Sequence, residues 1–385
     1  MSRISKLMRV LQVAAKAFSL VNFVLPLMKR LREVGFEVEA LTGSDGFEER
    51  IKAEGFRVHA WHMDHTFNPL ILWGARRELA EFLAQHEYDI VHTHCSFAGI
   101  IGNPVAYSRT KTLIYTQHGF FVHEGLGRVQ RRVWLEIEKV GLRWAHKVIC
   151  VSQAERDLAL TLGVGEPEKF FYVPGAGVRT EQFRLNEAER ARRRQAIRES
   201  LNIGPRETVM LTVSRLTWDK GYKEMVEAVG RLRGEGYAFK FLAAGSGKDK
   251  AGIRRLIEDR GLSDDFLLLG WRDDVVDLYC AADIFVFASH REGLPIAPIE
   301  AMASGLPVVA SDIPGCCEEI EHGKSGLLYP VRDVGALTES LRQLLDDPAL
   351  CRRLGREAAK RAELFDLQRV LDLQVGLYKQ LAEQL

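Results

Sequence analysis

Two glutamates, Glu292 and Glu300, lie eight residues apart in the segment HREGLPIAPIEAMASG and are the first candidates for chemistry. Pro295 lies between them, at the start of a predicted helix, where proline is well tolerated. Eight residues are close to two helical turns. Glu292 precedes the helix, and Glu300 is therefore predicted close to the same helix face. Carboxylates accept hydrogen bonds from hydroxyls, and helix N-termini bind phosphate. The segment therefore suits a nucleoside-diphosphate sugar, and a solvated pair of glutamates is the alternative.

Two basic residues, Arg215 and Lys220, follow a predicted strand in VSRLTWDKGY. An arginine fork and a lysine point charge can together neutralise a diphosphate. A solvated basic loop is the alternative for this pair taken alone. In FLAAGSG, Gly245 and Gly247 end another predicted strand and allow a ligand to approach the backbone closely. These glycines are weak evidence by themselves, because the full dinucleotide-binding fingerprint is absent.

These candidates lie at the ends of short apolar runs that alternate with helical patterns. The strands predicted in the first half are RVLQVAA, FEVEALTG, FRVHAWHM, DIVHTH, TLIYTQHG and HKVICV. The strands predicted in the second half are VMLTVSRL, FKFLAAGSG, DFLLLGW, DIFVFAS and PVVAS. Alternation of this kind predicts an α/β protein, in which parallel sheets are covered by helices on both faces.

The chain of 385 residues is too long for one ordinary core, so two doubly wound domains are predicted. We place them at residues 1–180 and 205–366, because the alternation pauses between Val173 and Arg206. The charged stretch NEAERARRRQAIRESL within this pause is a helix or a linker. The amphipathic segment 367–385 has no strand after it and is expected to pack back on the first domain. Two such domains facing each other leave a cleft at the carboxyl ends of their strands, where ligands bind.

Composition excludes several classes of function. The formal net charge of +1 gives no basic field, so no nucleic acid partner is expected. The six cysteines form no C-x-x-C pair, which favours reduced thiols in a cytoplasmic protein over a zinc site. No stretch approaches the roughly 18 apolar residues of a membrane span. Lys16 and Asn22 interrupt the apolar run behind the basic N-terminus, so no secretory signal is expected.

The motifs in combination resemble the retaining glycosyltransferases of family 4, which have the GT-B fold. The resemblance rests on E-x7-E, R-x4-K, AGSG and LLGWRDDVVDLYCAADIFVFAS in the second half, and on DIVHTH, TQHG, HKVICVSQAERD and VPGAGV in the first. It implies that the first domain binds the acceptor and the second binds a nucleotide sugar. The donor site implied by the resemblance comprises Arg215, Lys220, Gly245, Gly247, Arg272, Glu292, Gly293, Leu294, Ile296 and Glu300.

The resemblance also implies a role for individual positions. Arg215 and Lys220 would neutralise the diphosphate as it leaves, Glu300 would accept hydrogen bonds from the ribose, and Glu292 would hold sugar hydroxyls. The backbone from Gly293 to Ile296 would approach the sugar and phosphate, and Gly270–Arg272 would meet the base. In the first domain, His118 matches a histidine that faces the donor sugar; a turn histidine with a backbone partner is the alternative. The implied catalytic residues are His118, Glu292, Arg215 and Lys220.

The mechanism implied by the resemblance is a same-face displacement through an oxocarbenium-like state, with retention of configuration. The sequence contains no D-x-D motif, so no metal and no cofactor other than the donor substrate is expected. One departure from the family pattern concerns the loop after the first strand, where many relatives have paired glycines. This chain has Ala14, Ala15 and Lys16 there, which makes the phosphate contacts of the first domain differ from the family pattern.

The first domain carries features expected of a membrane-linked acceptor. The segment Gly127–Lys147 is basic and contains Trp134 and Ile137, and such a helix can lie on an anionic membrane. Packing of these apolar residues on the sheet is the alternative. The stretches FSLVNFVLPLMKRL, HTFNPL and HGFFVHEG resemble bacterial enzymes of capsule, O-antigen and lipid-linked oligosaccharide assembly. That resemblance implies a polyprenyl-diphosphate-linked glycan acceptor and a peripheral location on the inner face of the plasma membrane.

The leading hypothesis is a retaining hexosyltransferase or N-acetylhexosaminyltransferase that uses a nucleotide sugar. Uracil is the expected donor base, and a GDP-sugar-dependent mannosyltransferase is one alternative. A nucleotide-sugar epimerase of the same two-domain layout is a second alternative; it would release a new sugar epimer without an acceptor. A non-catalytic sugar-nucleotide or glycan-binding protein is the third, and it would release no nucleoside diphosphate when acceptor is present.

Overall fold

The computed structural model describes residues 7–63, 66, 68–119 and 127–385. The stretches HTFNPL and HGFFVHEG therefore lie partly outside the described residues. The chain forms two compact units, the first made of Met1–Ala176 with Gln368–Leu385 and the second of Gly177–Leu367. The domain predictions placed the corresponding boundaries at residues 180, 205 and 366.

The first unit contains a seven-stranded sheet in the order β3-β2-β1-β4-β5-β6-β7. Its strands are β1 (Arg9–Ala14), β2 (Glu37–Thr42), β3 (Arg57–Ala60), β4 (Ile90–His94), β5 (Thr112–Gln117), β6 (Lys147–Cys150) and β7 (Phe170–Tyr172). Its helices are α1 (Ala17–Ser19), α2 (Leu25–Glu33), α3 (Glu48–Ala53), α4 (Pro69–Gln85), α5 (Cys95–Ala106), α6 (Arg128–Arg143) and α7 (Gln153–Thr161), and a π-helical turn (Leu20–Val24) joins α1 to α2.

The second unit contains a six-stranded sheet in the order β10-β9-β8-β11-β12-β13. Its strands are β8 (Thr208–Val213), β9 (Phe239–Ala244), β10 (Phe266–Gly270), β11 (Ile284–Phe287), β12 (Val308–Asp312) and β13 (Leu327–Pro330). Its helices are α8 (Glu187–Ser200), α9 (Tyr222–Gly234), α10 (Lys250–Asp259), α11 (Val275–Ala281), α12 (Ile296–Ala303), α13 (Pro314–Glu319), α14 (Val334–Asp346) and α15 (Pro348–Ala362); α16 (Leu367–Glu383) ends the chain.

Both sheets are parallel and follow the strand order of a doubly wound dinucleotide-binding fold. The order reverses between β1 and β4 in the first unit and between β8 and β11 in the second. Ligands of open α/β sheets bind beyond the carboxyl ends of the strands at such a switch point. The predicted α/β class is confirmed, and the candidate residues after β8 and β11 lie at the switch point of the second sheet.

The central strands are buried on both faces, which explains why they appear in the sequence as continuous apolar runs. In β1, for example, Val10, Leu11 and Val13 are all fully buried. Some buried side chains of the first sheet are polar, and four of them, Gln12, His92, His94 and Thr116, lie on one face of its central strands. Buried polar groups are costly unless they are hydrogen-bonded, so each of these four needs a partner.

The two segments outside the sheets are held by specific polar contacts. The charged stretch that we interpreted as a helix or a linker is α8, and it belongs to the second unit. Arg194 and Arg198 donate to Asp283 over 2.7 and 2.8 Å, and Asp283 also accepts from the backbone N–H of Val209 over 2.9 Å. From Gln368 onward, α16 belongs to the first unit, and Tyr378 is fully buried there.

Candidate active site

Lys220 is brought to the end of β11 by the glycine that follows it. A 3₁₀ turn, Trp218–Lys220, leads from β8 to Gly221, whose φ is 73°. A Cβ at Gly221 would lie only 2.1 Å from the carbonyl oxygen of Ala288. Only glycine permits this close approach at a left-handed backbone angle. The sequence interpretation missed Gly221, although a glycine two residues before a predicted helix was a usable signal.

Lys220 and Glu292 form an ion pair at the switch point of the second sheet. The Lys220 side chain is buried, with 8% of it exposed, and the Glu292 side chain is 25% exposed. The hydroxyl of Ser289 donates to the same Glu292 oxygen over 3.0 Å and lies 3.5 Å from Lys220 Nζ. An ammonium has three N–H donors, so Lys220 can hold Glu292 and still donate to a phosphate. Ser289 is a second residue that the sequence interpretation missed.

Arg215 lies on the same loop and is held only loosely. Its side chain is 69% exposed, and its Nη2 lies 3.6 Å from Asp219 Oδ2. Exposed ion pairs of this kind contribute little stability, so the guanidinium can turn towards a phosphate at low cost. The structure thus brings one buried cation and one exposed cation to the same strand end.

Gly245 and Gly247 are required by packing within the protein. A Cβ at Gly245, where φ is 143°, would lie 1.9 Å from the carbonyl oxygen of Ser214, and a Cβ at Gly247 would lie 2.4 Å from that of Leu216. Both glycines therefore let the end of β9 pack against the loop that carries Arg215. The sequence interpretation linked these glycines to the approach of a ligand, and the contacts add this second reason for them.

Glu300, on α12, is a half-buried carboxyl that accepts a hydrogen bond from a tyrosine. The hydroxyl of Tyr279 donates to Glu300 Oε2 over 2.8 Å and also lies 3.1 Å from the carbonyl oxygen of Ala297. Burial raises the pKa of Glu300 to about 7. A carboxyl with this pKa gains or loses its proton near neutral pH, and its charged form is favoured by further hydrogen-bond donors. Hydroxyl groups of a ligand could supply them.

The loop between Glu292 and α12 is supported from behind by α13. A Cβ at Gly315 would lie 2.6 Å from the carbonyl oxygen of Gly293, so the two backbones touch directly. Leu294 packs partly buried against the core, whereas Ile296, the first residue of α12, is 38% exposed. Glu292 therefore lies on a turn before the helix, and it has different partners from Glu300.

The positive charge of Arg272 is neutralised by a carboxylate of the protein itself. Arg272 binds Asp274 through two nitrogens, with Nε 2.6 Å from Oδ1. It also lines a cavity of about 490 Å³ together with Arg192, Arg193, Ala196, Ile197, Ser200, Asp274 and Asp277. The backbone beside Arg272 joins the donor-site loops, because Gly245 N–H donates to the carbonyl oxygen of Gly270 over 2.7 Å.

In the first unit, His118 follows β5 directly and is half-buried. Its ring stacks on Phe23, with 5.3 Å between the centroids, and its Nε2 lies 3.4 Å from Nδ1 of His94. Burial lowers the pKa of His118 to about 4. The ring is therefore neutral at physiological pH.

The loop after β1 is tightly packed despite its missing glycines. Ala14 and Ala15 are buried, and Lys16 is half-buried at the start of α1. Gly43 follows β2 directly, and a Cβ there would lie 2.4 Å from the carbonyl oxygen of Ala15. Gly43 therefore permits the close packing of this loop.

The basic helix α6 has both an exposed end and a buried end. Val129 and Val133 are 77% and 52% exposed, whereas Trp134 and Ile137 are half-buried. Across residues 7–63, 66, 68–119 and 127–385, every helix is too short or too polar to cross a membrane. The same residues contain no cluster of three or more histidine, cysteine, aspartate or glutamate side chains that could bind a metal ion.

Comparisons with known proteins identify the family of this chain. The family profile described as glycosyl transferases group 1 matches residues 193–361, and the profile described as glycosyltransferase family 4 matches residues 20–176. The N,N'-diacetylbacillosaminyl-diphospho-undecaprenol alpha-1,3-N-acetylgalactosaminyltransferase of Campylobacter jejuni is 25% identical over 366 residues, covering 94% of this chain and 95% of that protein. The UDP-Gal:alpha-D-GlcNAc-diphosphoundecaprenol alpha-1,3-galactosyltransferase of Escherichia coli is 27% identical over 276 residues, covering 71% and 70%.

Solved structures agree on the fold. The crystal structure of Anabaena Alr3699/HepE in complex with UDP and glucose matches 97% of this chain and 100% of that chain, with a TM-score of 0.79 and 20% sequence identity. The two family profiles together span most of both structural units. The protein therefore belongs to glycosyltransferase family 4 and has the GT-B fold.

Proposed function

We propose that the protein transfers a hexosyl or N-acetylhexosaminyl group from a UDP-sugar to a hydroxyl of a lipid-linked glycan, with retention, in polysaccharide assembly. The observation that carries this proposal is the ion pair between the buried Lys220 and the partly exposed Glu292 at the switch point of the second sheet. A lysine fixed by a carboxylate beside an exposed arginine provides positive charge for a diphosphate. The same carboxylate provides an acceptor for sugar hydroxyls.

Similar proteins support a uridine donor. One structural neighbour was solved with UDP and glucose, and one relative is named for UDP-Gal as its donor. The two relatives from Campylobacter jejuni and Escherichia coli are both named as alpha-1,3 transferases. Because a common UDP-hexose carries its sugar in the α configuration, an α-linked product corresponds to retention. We therefore assign this chain a UDP-sugar and a retaining reaction.

The proposed step breaks the bond between the anomeric carbon and the diphosphate oxygen. The acceptor oxygen forms its new bond to the same face of that carbon, and the acceptor proton passes to the departing phosphate oxygen. Arg215 and Lys220 stabilise the charge that develops on the diphosphate, which is the usual role of preorganised cations in such steps. Glu292 orients Lys220 and the sugar hydroxyls, and His118 contributes a neutral imidazole to the reaction.

A donor panel tests this proposal through thermal stability. Binding to the folded state at about a hundred times the Kd stabilises it by roughly 2.7 kcal/mol. We expect UDP and at least one UDP-hexose or UDP-N-acetylhexosamine to raise the Tm, and GDP-mannose to leave it unchanged. A shift with GDP-sugars alone would correct the base. If no sugar nucleotide shifts the Tm, the proposed donor site is wrong.

Donor affinity is expected to fall as the pH drops through about 7. Ribose hydroxyls favour the ionised form of Glu300, so donor binding lowers the Glu300 pKa from its value of about 7. The donor therefore binds at full affinity above pH 7 and progressively more weakly as the pH falls below 7. The phosphates of a UDP-sugar do not titrate between about pH 6 and about pH 8. Calorimetry with a UDP-sugar should therefore show the Kd rising up to about tenfold from about pH 8 to about pH 6. Glu300→Gln should bind more weakly with a flat profile. A flat wild-type profile would remove Glu300 from the site.

A lipid-linked acceptor requires contact with the membrane. Both relatives are named for diphosphoundecaprenol-linked substrates, and we assign this chain the same acceptor class. The proposed contact is the exposed end of α6, where Val129 and Val133 are flanked by Arg128, Arg131 and Arg132. Such a surface suits the anionic inner face of a plasma membrane, with the protein on its cytoplasmic side.

Vesicle sedimentation tests this contact. The protein should sediment with vesicles containing phosphatidylglycerol and stay in the supernatant with pure phosphatidylcholine. Val129→Glu should weaken the association by about tenfold. Leu373→Glu, at an exposed position on α16, is the matched control and should bind normally. Equal behaviour on both kinds of vesicle would argue against this surface.

A further inference from the structure

Four buried polar side chains at the centre of the first sheet are not used by the proposed reaction. Gln12, His92, His94 and Thr116 are between 0% and 3% exposed. They lie on three neighbouring strands, and the strand register pairs Gln12 with His92 and His94 with Thr116. Paired residues of parallel strands point to the same face of a sheet. A face that is ordinarily apolar therefore carries a polar cluster.

Hydrogen bonds join these side chains into one series that begins at His118 and includes Tyr378 of α16. From His118 Nε2 the series passes to His94 Nδ1 over 3.4 Å, and from His94 Nε2 to Gln12 Oε1 over 2.7 Å. Gln12 Nε2 lies 2.9 Å from the Tyr378 hydroxyl, which lies 2.6 Å from His92 Nδ1. His92 Nε2 ends the series at the Thr116 hydroxyl, 2.7 Å away.

The amide of Gln12 sets the direction of every bond in this series. Its oxygen only accepts, so His94 donates from Nε2. Burial lowers the pKa of His94 well below its usual range, and the neutral ring therefore has a lone pair on Nδ1. That lone pair must accept the proton of His118 Nε2. On the other side, the Gln12 amide donates to Tyr378.

The remaining bonds follow from the same rule. The Tyr378 hydroxyl accepts from Gln12 and therefore donates its own proton to His92 Nδ1. The pKa of His92 is also lowered well below its usual range by burial, so its single proton is on Nε2 and is donated to Thr116. All three histidines are thus neutral and protonated on Nε2, and no bond in the series joins two donors.

We propose that Tyr378 is a positioning residue that, through Gln12 and His94, holds His118 in the tautomer protonated on Nε2. The Nδ1 of His118 then keeps its lone pair for a hydrogen bond from a hydroxyl of a substrate. This role rests on the proposed function, in which His118 takes part in the reaction. It gives the C-terminal helix a part in the reaction, because Tyr378 is the residue of α16 that enters the series.

The tautomers can be measured without any activity assay. Nitrogen-15 NMR of histidine-labelled protein distinguishes a protonated ring nitrogen from one with a lone pair. We expect His92, His94 and His118 all to carry the proton on Nε2. If the oxygen and nitrogen of the Gln12 amide exchanged places, every bond would be reversed and all three protons would be on Nδ1. That result, or a mixture of tautomers in the wild type, would overturn the proposal even if the choice of donor were also wrong.

Tyr378→Phe removes the hydroxyl and keeps the ring. We expect kcat to fall about tenfold with little change in the KM for the donor, as for the loss of one hydrogen bond in the transition state. We also expect His118 to become a mixture of tautomers. A merely structural role of Tyr378 would lower the Tm and leave both the tautomer and kcat unchanged, which would overturn the proposal.

Tyr88→Phe is the matched control in the same unit. Tyr88 is also buried, and its hydroxyl donates to Glu39 over 2.7 Å, outside the series. We expect a loss of thermal stability similar to that of Tyr378→Phe, with a normal kcat and a normal His118 tautomer. Equal losses of kcat in the two variants would refute the specific role of Tyr378.

Discussion

Lys220→Met is expected to lower kcat by about a thousandfold, because it removes the buried charge that stabilises the departing diphosphate. Loss of one preorganised group of this kind typically costs two to three orders of magnitude, or about 3–4 kcal/mol. Methionine keeps the unbranched stem of lysine, so the packing around this mostly buried side chain changes little. The measurement is kcat for transfer with donor and acceptor both saturating.

Lys223→Met is the control for this substitution. Lys223 lies three residues away on α9, is exposed, and has its Nζ 5.3 Å from the centre of the Trp218 ring. Because it lacks contact with Glu292, we expect a kcat within about twofold of wild type. A near-normal rate for Lys220→Met, or equal losses for the two variants, would show that the diphosphate is stabilised elsewhere.

Glu292→Ala is expected to reduce turnover by at least about a hundredfold and also to reduce stability. Removal of one partner leaves the buried Lys220 ammonium with Ser289 at 3.5 Å and Asp219 at 3.6 Å. Breaking a fully buried pair costs about 3–5 kcal/mol, and the partial exposure of Glu292 places its cost nearer to about 2 kcal/mol. Urea unfolding and steady-state kinetics measure the two effects separately.

The double variant Lys220→Met/Glu292→Leu separates folding from chemistry. Replacing both members of a buried ion pair with apolar residues is often neutral or stabilising, so its free energy of unfolding should return close to the wild-type value. Its turnover should stay at least as low as that of Lys220→Met. Recovery of activity together with stability would mean that the pair only supports the fold.

Much of the fold follows from local patterns. Continuous apolar runs such as RVLQVAA and VMLTVSRL predict buried parallel strands, because both faces of such a sheet are covered. The strands β1 and β8 lie there in the structure. The strand order could not be derived in this way, because it depends on which strands pair across long stretches of chain. The switch point at β8 and β11 is therefore visible only in the tertiary structure.

For the candidate site, too, the sequence indicates the residues but not the contacts between them. The spacing of Glu292 and Glu300, and that of Arg215 and Lys220, was sufficient to nominate all four residues. It did not predict that Lys220 would bind Glu292, which lies 72 residues further along the chain. Nor did it predict the raised pKa of Glu300, because burial depends on packing by distant segments.

The amino-acid sequence by itself determined the α/β class, the approximate strands and the residue types at the ends of β8 and β11. Only the tertiary structure decided which of these groups are buried, paired or exposed. Gln12 and Tyr378, which lie 366 residues apart and bond directly, show the physical reason. Hydrogen-bond partners and protonation states depend on neighbours in space, and those neighbours are brought together by the whole fold.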